Sequence, residues 1–191
     1  MNGAKHHHHR NAANVREAAP AKMLPVFRRA PETGEPVQSD LRWGLIPHYA
    51  SERPQVQPIH ARAETISENR MFRDAYRKRR CIVPMTSFNL KDQSGKRRAI
   101  TRIDGMPFGV AGIWDNWQEP MTRVWERTFA VITVPANKLI APIHDRMPAI
   151  LRREDYQRWL GPEEDPHDLL VPYAGDDLMV SPSPGTARHG R

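Results

Sequence analysis

The chain has 191 residues, enough for one ordinary hydrophobic core and too few for two, and no run of eighteen apolar residues is present to cross a membrane as a helix. Twenty-nine Lys and Arg against 22 Asp and Glu leave a net charge of +7, which points away from cationic partners and towards polyanions. Eighteen prolines against eleven glycines exclude long uninterrupted helices and predict short elements joined by rigid turns.

Residues 1–36 carry little hydrophobic periodicity and are predicted to be irregular and partly mobile. Their start, Met1–Arg10, is polar and histidine-rich where a secretory signal needs an apolar stretch. The run His6–His9 reads either as a tag remnant or as an adventitious metal binder, so neither a metal site nor a cofactor is assigned. A single domain is expected over residues 37–185, followed by a tail at 186–191. Trp43–Tyr49 reads as a short apolar segment stopped at Pro47. Thr65 and Glu68 have the spacing of a capping box, predicting a helix whose inner face carries Met71, Phe72, Ala75 and Tyr76 and which ends in the cationic cluster Arg77–Arg80.

Cys81–Pro84, Arg98–Ile103, Phe108–Trp114 and Phe129–Val134 are rich in β-branched and aromatic residues and are predicted strands. Asp92–Gly95 and Asp104-Gly105 supply hairpin-type turns before and after the second of them. Arg152–Leu160 is predicted as an amphipathic helix with Tyr156, Trp159 and Leu160 inward and Gly161 as its stop, and Asp177–Val180 as a last strand. Trp114, Trp117, Trp125 and Trp159 are read as packing residues. This order predicts an α+β fold: an antiparallel, barrel-like β-sheet with a few flanking helices.

Charge is segregated along the chain. Between Arg70 and Arg102 eleven Lys and Arg face two acids, a local excess of +9, while Glu163, Glu164, Asp165, Asp168, Asp176 and Asp177 make the C-terminal part acidic. Such a field captures phosphate backbones. The one cysteine, Cys81, cannot form an internal disulfide, which suits a reducing cytoplasm. Set in an apolar strand, it reads as an inert filler.

Four blocks in order carry a more specific signal: Arg42-Trp-Gly-Leu-Ile-Pro47, His60-Ala-Arg-Ala-Glu-Thr65, Arg80-Cys-Ile-Val-Pro84 and Ile143-His-Asp-Arg-Met-Pro148. Weaker echoes are Ala111-Gly-Ile-Trp114, Ile132-Thr-Val-Pro-Ala-Asn137 and Val180-Ser-Pro182. In this arrangement the chain resembles the SOS-response-associated peptidase (SRAP) family. The resemblance implies a protein that binds single-stranded DNA and attaches covalently to abasic sites through an N-terminal cysteine. The α-amine of that residue, with an ordinary pKa of about 7.7–8.0, condenses with the sugar aldehyde and the thiol closes a thiazolidine. An asparagine, a glutamate and a histidine assist in the family.

At those positions the sequence departs from the pattern. It begins Met1-Asn2-Gly3, so the position of the cysteine falls at Asn2; that of the asparagine falls at His60 and that of the glutamate at Leu90. Of the four catalytic positions His144 alone matches. The DNA-lining residues that the resemblance implies are retained as Trp43, Pro47, Arg62 and Arg146, with His60 a further phosphate donor. The expectation is therefore a cytoplasmic, nucleoid-associated protein whose partner is single-stranded DNA, with or without abasic sites, and whose crosslinking and autopeptidase chemistry is lost or impaired. Two alternatives stay open: an active enzyme using its N-terminal amine or a cysteine upstream of this sequence, and an interaction module that no longer binds nucleic acid.

Overall fold

The computed structural model describes residues 20–163 and 165–182; Asn2 and His6–His9 lie outside them. Two long strands, β7 (Phe108–Gln118) and β8 (Trp125–Pro135), are buried along most of their length and form the centre of the molecule. Near-continuous apolar runs such as Phe129–Val134 are what a strand covered on both faces requires. β4 (Arg80–Met85) is buried for the same reason and pairs antiparallel with β7 from Arg80↔Ile113 to Met85↔Phe108. Gly112 allows this close approach, because a Cβ there would meet the Cys81 sulfur at 2.9 Å.

The first strand, β1 (Met23–Arg29), falls where irregular chain is expected from the sequence. It pairs along its whole length with β2 (Pro36–Trp43) and also touches β4. The alternation is concealed because charge and burial are inverted: Arg28 is 6% exposed and Phe27 is 40% exposed. Arg28 is held inward by stacking its guanidinium 4.8 Å above the Trp114 ring and by donating to Ser39 Oγ at 3.1 Å.

Strand order β7–β4–β1–β2–β8, with β8 returning to β7, closes the sheet into a barrel. β3 (His60–Arg62) and β9 (Arg146–Pro148) lie against β8, and β10 (Ile150–Leu151) against β7. The sheet is mixed rather than wholly antiparallel, since β2 and β3 run parallel to β8. A second, three-stranded sheet joins β5 (Ser87–Lys91), β6 (Arg97–Arg102) and β11 (Leu178–Pro182). Asp92–Gly95 makes the β5–β6 turn, with Gly95 at φ +78. Asp104-Gly105 also turns, Gly105 at φ +69, but it joins strands of different sheets and so makes no hairpin.

The helices are shorter than the sequence suggests. No capping box forms at Thr65; its carbonyl instead accepts the N–H groups of Glu68 (3.2 Å) and Asn69 (2.9 Å) at the end of a 3-10 turn over Ala63–Thr65. Ile66, fully buried, draws this segment into the core before helix α1 (Arg73–Lys78) begins, so tertiary burial overrides the local signal. The expected inner face is nonetheless kept, with Phe72, Ala75 and Tyr76 buried. Arg153–Asp155 forms a 3-10 turn that leads into α2 (Tyr156–Leu160), where Trp159 is fully buried. Trp114 and Trp117 are also buried, whereas Trp125, read as a packing residue, is 60% exposed at the start of β8.

Between α1 and α2, Arg80 is 6% exposed and uses all five of its N–H groups on backbone carbonyls. Nε donates to Trp159 (2.6 Å), Nη1 to Tyr76 (2.8 Å) and Arg77 (3.2 Å), and Nη2 to Gly161 (2.7 Å) and Glu163. These are carbonyls that helix ends leave without partners, so one side chain closes the C-termini of both helices.

Candidate nucleic-acid interface

The site grows from the way β2 ends. Gly44, at φ +129, turns the chain off the sheet directly after Trp43, a conformation that a side chain strongly disfavours. The segment that follows is pinned by four donors: Gly44 N–H to Phe129 O (2.9 Å), Leu45 N–H to Pro58 O (2.9 Å), Ile46 N–H to Thr128 Oγ1 (2.8 Å) and His48 N–H to Asp115 Oδ2 (3.0 Å). Trp43 is thereby fixed: its Nε1–H donates to Ile59 O at 2.9 Å and its ring stacks on Phe129, centroids 6.1 Å apart and 7° from parallel. Its edge meets the His60 ring at 6.1 Å and 70°.

β3 presents His60 and Arg62 outward on either side of buried Ala61, as a period of two demands. Its parallel register sets His60 against Val131 and Arg62 against Thr133. On the other side of β8, β9 pairs Pro135 with Arg146. The outcome is a cleft of about 460 Å3 walled by Trp43, His60, His144 and Arg146, with β5 contributing Asn89, Leu90 and Lys91. Arg62 lies two residues beyond His60 on the same side of β3 and is exposed, but does not wall the cleft. Pro47 is buried and sits away from it.

Arg146 is held as a fork. Its two Nη atoms engage the Glu64 carboxylate, Nη2 at 2.9 Å, and Nη2 also donates to Thr133 O at 2.7 Å. This contact keeps the Glu64 carboxyl below its ordinary pKa range. The carboxylate facing Arg146 is thus Glu64, 82 residues away in the chain, while the adjacent Asp145 lies 3.2 Å from His144 Nδ1. His144 Nδ1 accepts the Arg146 backbone N–H at 2.9 Å and lies 3.1 Å from the Arg146 carbonyl, so either protonation state of that nitrogen finds a partner. Nε2 makes no hydrogen bond to any described residue and is left for proton exchange or ligand contact. Partial desolvation by the cleft walls, and secondarily the nearby His144, hold the outward-facing His60 below the ordinary imidazole pKa.

Leu90 packs against the core from the cleft wall and carries no ionisable atom. Cys81 is fully buried and its thiol is pushed far up by desolvation, so it is neither exposed nor nucleophilic. Sequence reasoning misses Asn89, Lys91, Glu64 and Thr133. Lys91 has a signal, its place in the basic Arg70–Arg102 stretch; Glu64 and Thr133 stand inside the quoted blocks, but only the fold turns them towards Arg146. Among the described residues no group of three or more His, Cys, Asp or Glu is placed to hold a metal ion, and no helix is long and apolar enough to cross a membrane.

The cleft therefore gathers residues of three of the four sequence blocks, and the fourth supplies Arg80 at the junction of the two helices. A family model described as SOS response associated peptidase (SRAP) matches residues 2–184. The chain belongs to the SRAP family. Among curated SRAP relatives it is 40% identical over 147 residues to "Abasic site processing protein YoqW" of Bacillus subtilis (strain 168), covering 72% of this chain and 65% of that protein. "Abasic site processing protein HMCES" of Xenopus tropicalis is 28% identical over 179 residues, covering 78% of this chain and 53% of that one. The chain thus spans about two thirds or less of the length of these relatives. Two crystal structures share the fold: a Bacteroides thetaiotaomicron protein with TM-score 0.76, 30% identity and coverage of 85% of this chain and 74% of that one, and a Bordetella bronchiseptica protein with TM-score 0.75, 31% identity and coverage of 85% and 84%. The SRAP blocks also contain purely architectural residues. Asn137, for example, accepts the Ile140 N–H at 2.9 Å and donates to Tyr173 O at 2.7 Å, tying a turn to the C-terminal segment.

Proposed function

We propose that this SRAP protein binds single-stranded DNA, including strands with abasic sites, and that its covalent step is lost or severely weakened. The observation that carries the proposal is one cleft in which an anchored indole, a guanidinium fork and two imidazoles converge; Leu90, at the position that the resemblance gives to the family's glutamate, lines the same cleft. An indole held on one face by Phe129 offers its other face to an unstacked base, a stack worth about 1–3 kcal/mol. Arg146 in the cleft and the exposed Arg62 beside it offer N–H groups to successive phosphates, and Lys91 adds a charge from β5. His60 is disposed to be neutral in the free cleft and to gain a proton when a phosphate arrives. Leucine neither accepts nor donates a proton, so the proton transfers that a carboxylate would perform have no agent there.

A second reading rests on His144. With Nε2 free it remains able to move a proton during condensation of an amine with the abasic aldehyde, which would leave a Schiff base rather than a thiazolidine. The two readings separate on one gel and one titration. A labelled single strand should bind with a log–log salt slope of about −2, corresponding to three phosphate contacts, and Arg62→Ala should flatten it by about 0.7. Binding that ignores salt would remove the DNA reading. The same strand carrying an abasic site should give no covalent band, with or without borohydride. A band that needs borohydride supports the amine reading, and a spontaneous band contradicts the loss of chemistry.

A further inference from the structure

A second concave surface lies between the β1–β2 hairpin and the residues that follow α2. Its larger half, about 1070 Å3, is walled by Phe27, Ile82, Tyr156 and Leu160, and none of these residues enters the DNA cleft. Through Arg29 and Pro162 it continues into a basin of about 820 Å3 beside the end of α1, where Arg77 and Lys78 stand. Arg29, Arg77 and Lys78 make no ion pair with any described residue. At the other end Arg158 is already held by Glu163 and Asp168, and Glu35 stands at the hairpin beside Arg29. The groove is therefore polarised, cationic at the α1 end and apolar, with its one further cation already paired, at the α2 end.

Its walls are preorganised. Arg80 ties the carbonyls of Gly161 and Glu163 to the last turn of α1, so the side that follows α2 does not have to be ordered on binding. Exposure of Phe27 in a strand whose neighbour Arg28 is buried is the inverse of what burial energetics favours, and it places an aromatic on the groove surface.

We propose that this groove docks an extended peptide of a partner protein, one that carries an apolar anchor beside a run of acidic residues. The anchor occupies the Phe27–Tyr156 half and the acids lie along Arg29, Arg77 and Lys78, an orientation set by the charge gradient. A nucleic-acid strand fits less well, because the wide apolar half offers a phosphodiester no cation but Arg158, which Glu163 and Asp168 already hold.

The test uses the full chain and a fluorescein-labelled peptide of four acidic residues followed by Leu-Phe-Leu, read by fluorescence anisotropy. Saturable binding is expected, weakened about tenfold by Phe27→Ala and about tenfold by Arg77→Glu with Lys78→Glu, both at exposed positions. A peptide with lysines for the acids should also lose about tenfold. Retained circular dichroism and melting temperature establish that the variants fold. Absence of saturable binding, or binding indifferent to both variants, overturns the proposal. So does displacement of the peptide by unlabelled single-stranded DNA, which would assign the groove to the nucleic-acid surface; failure of DNA binding at the cleft leaves this result unaffected.

Discussion

Arg80 and Arg146 both aim guanidinium N–H groups at backbone carbonyls, and both stand in blocks that mark the SRAP family, yet their surroundings differ in kind. Arg80 is enclosed and saturated, with five carbonyl acceptors drawn from the ends of two helices. Arg146 lies at the lip of a cleft, bonded to Thr133 and to the exposed carboxylate of Glu64. A saturated guanidinium has nothing left to offer a ligand, whereas one whose main partner is an exposed carboxylate can exchange part of that contact for a phosphate. A family-specific arginine is therefore not by that fact a binding residue; the number and burial of its acceptors decide.

The comparison can be broken most severely at Arg80. Replacing it by alanine leaves buried carbonyls without donors and should cost about 3 kcal/mol or more in denaturant unfolding. A loss below about 1 kcal/mol would mean that water substitutes for the guanidinium and that the junction is not structural. Arg146→Ala should show the reverse profile, a stability change within about 1 kcal/mol and an affinity for single-stranded DNA lowered about tenfold. Equal effects of the two substitutions on both readouts would erase the distinction.

A smaller effect is expected from His60. Because its folded pKa is depressed, the unfolded chain takes up a proton first as pH falls through the ordinary value near 6.5, so stability declines from there down to the lowered folded value and is constant above. DNA phosphates favour the imidazolium, so binding should strengthen over the same fall in pH. His60→Asn should flatten both curves, and unchanged profiles would show that His60 does not face the ligand. The smallest effect belongs to Trp125→Ala, expected within about 0.5 kcal/mol of the parent because the indole is mostly in solvent.

Much of the architecture is legible in the residues. The β-branched runs at Cys81–Pro84, Phe108–Trp114 and Phe129–Val134 become central strands, since apolar segments of that length have few other ways to bury both faces. β1 is not legible, because its alternation is inverted by an inward arginine and an outward phenylalanine whose partners, Trp114 and the groove, come from elsewhere. The false capping box at Thr65 has a similar origin: the spacing is correct, but burial of Ile66 outweighs one side-chain bond.

For the candidate site the division is the same. The resemblance to the SRAP blocks singles out Trp43, His60, Leu90, His144 and Arg146, because block patterns depend on short stretches that can be matched position by position. Only the closed sheet decides that these five meet in one cleft, that Pro47 does not join them, and that Glu64 rather than Asp145 holds the Arg146 fork. Those outcomes depend on strand register across β3, β8 and β9, and register couples residues some 80 positions apart through hydrogen bonds that no local pattern encodes.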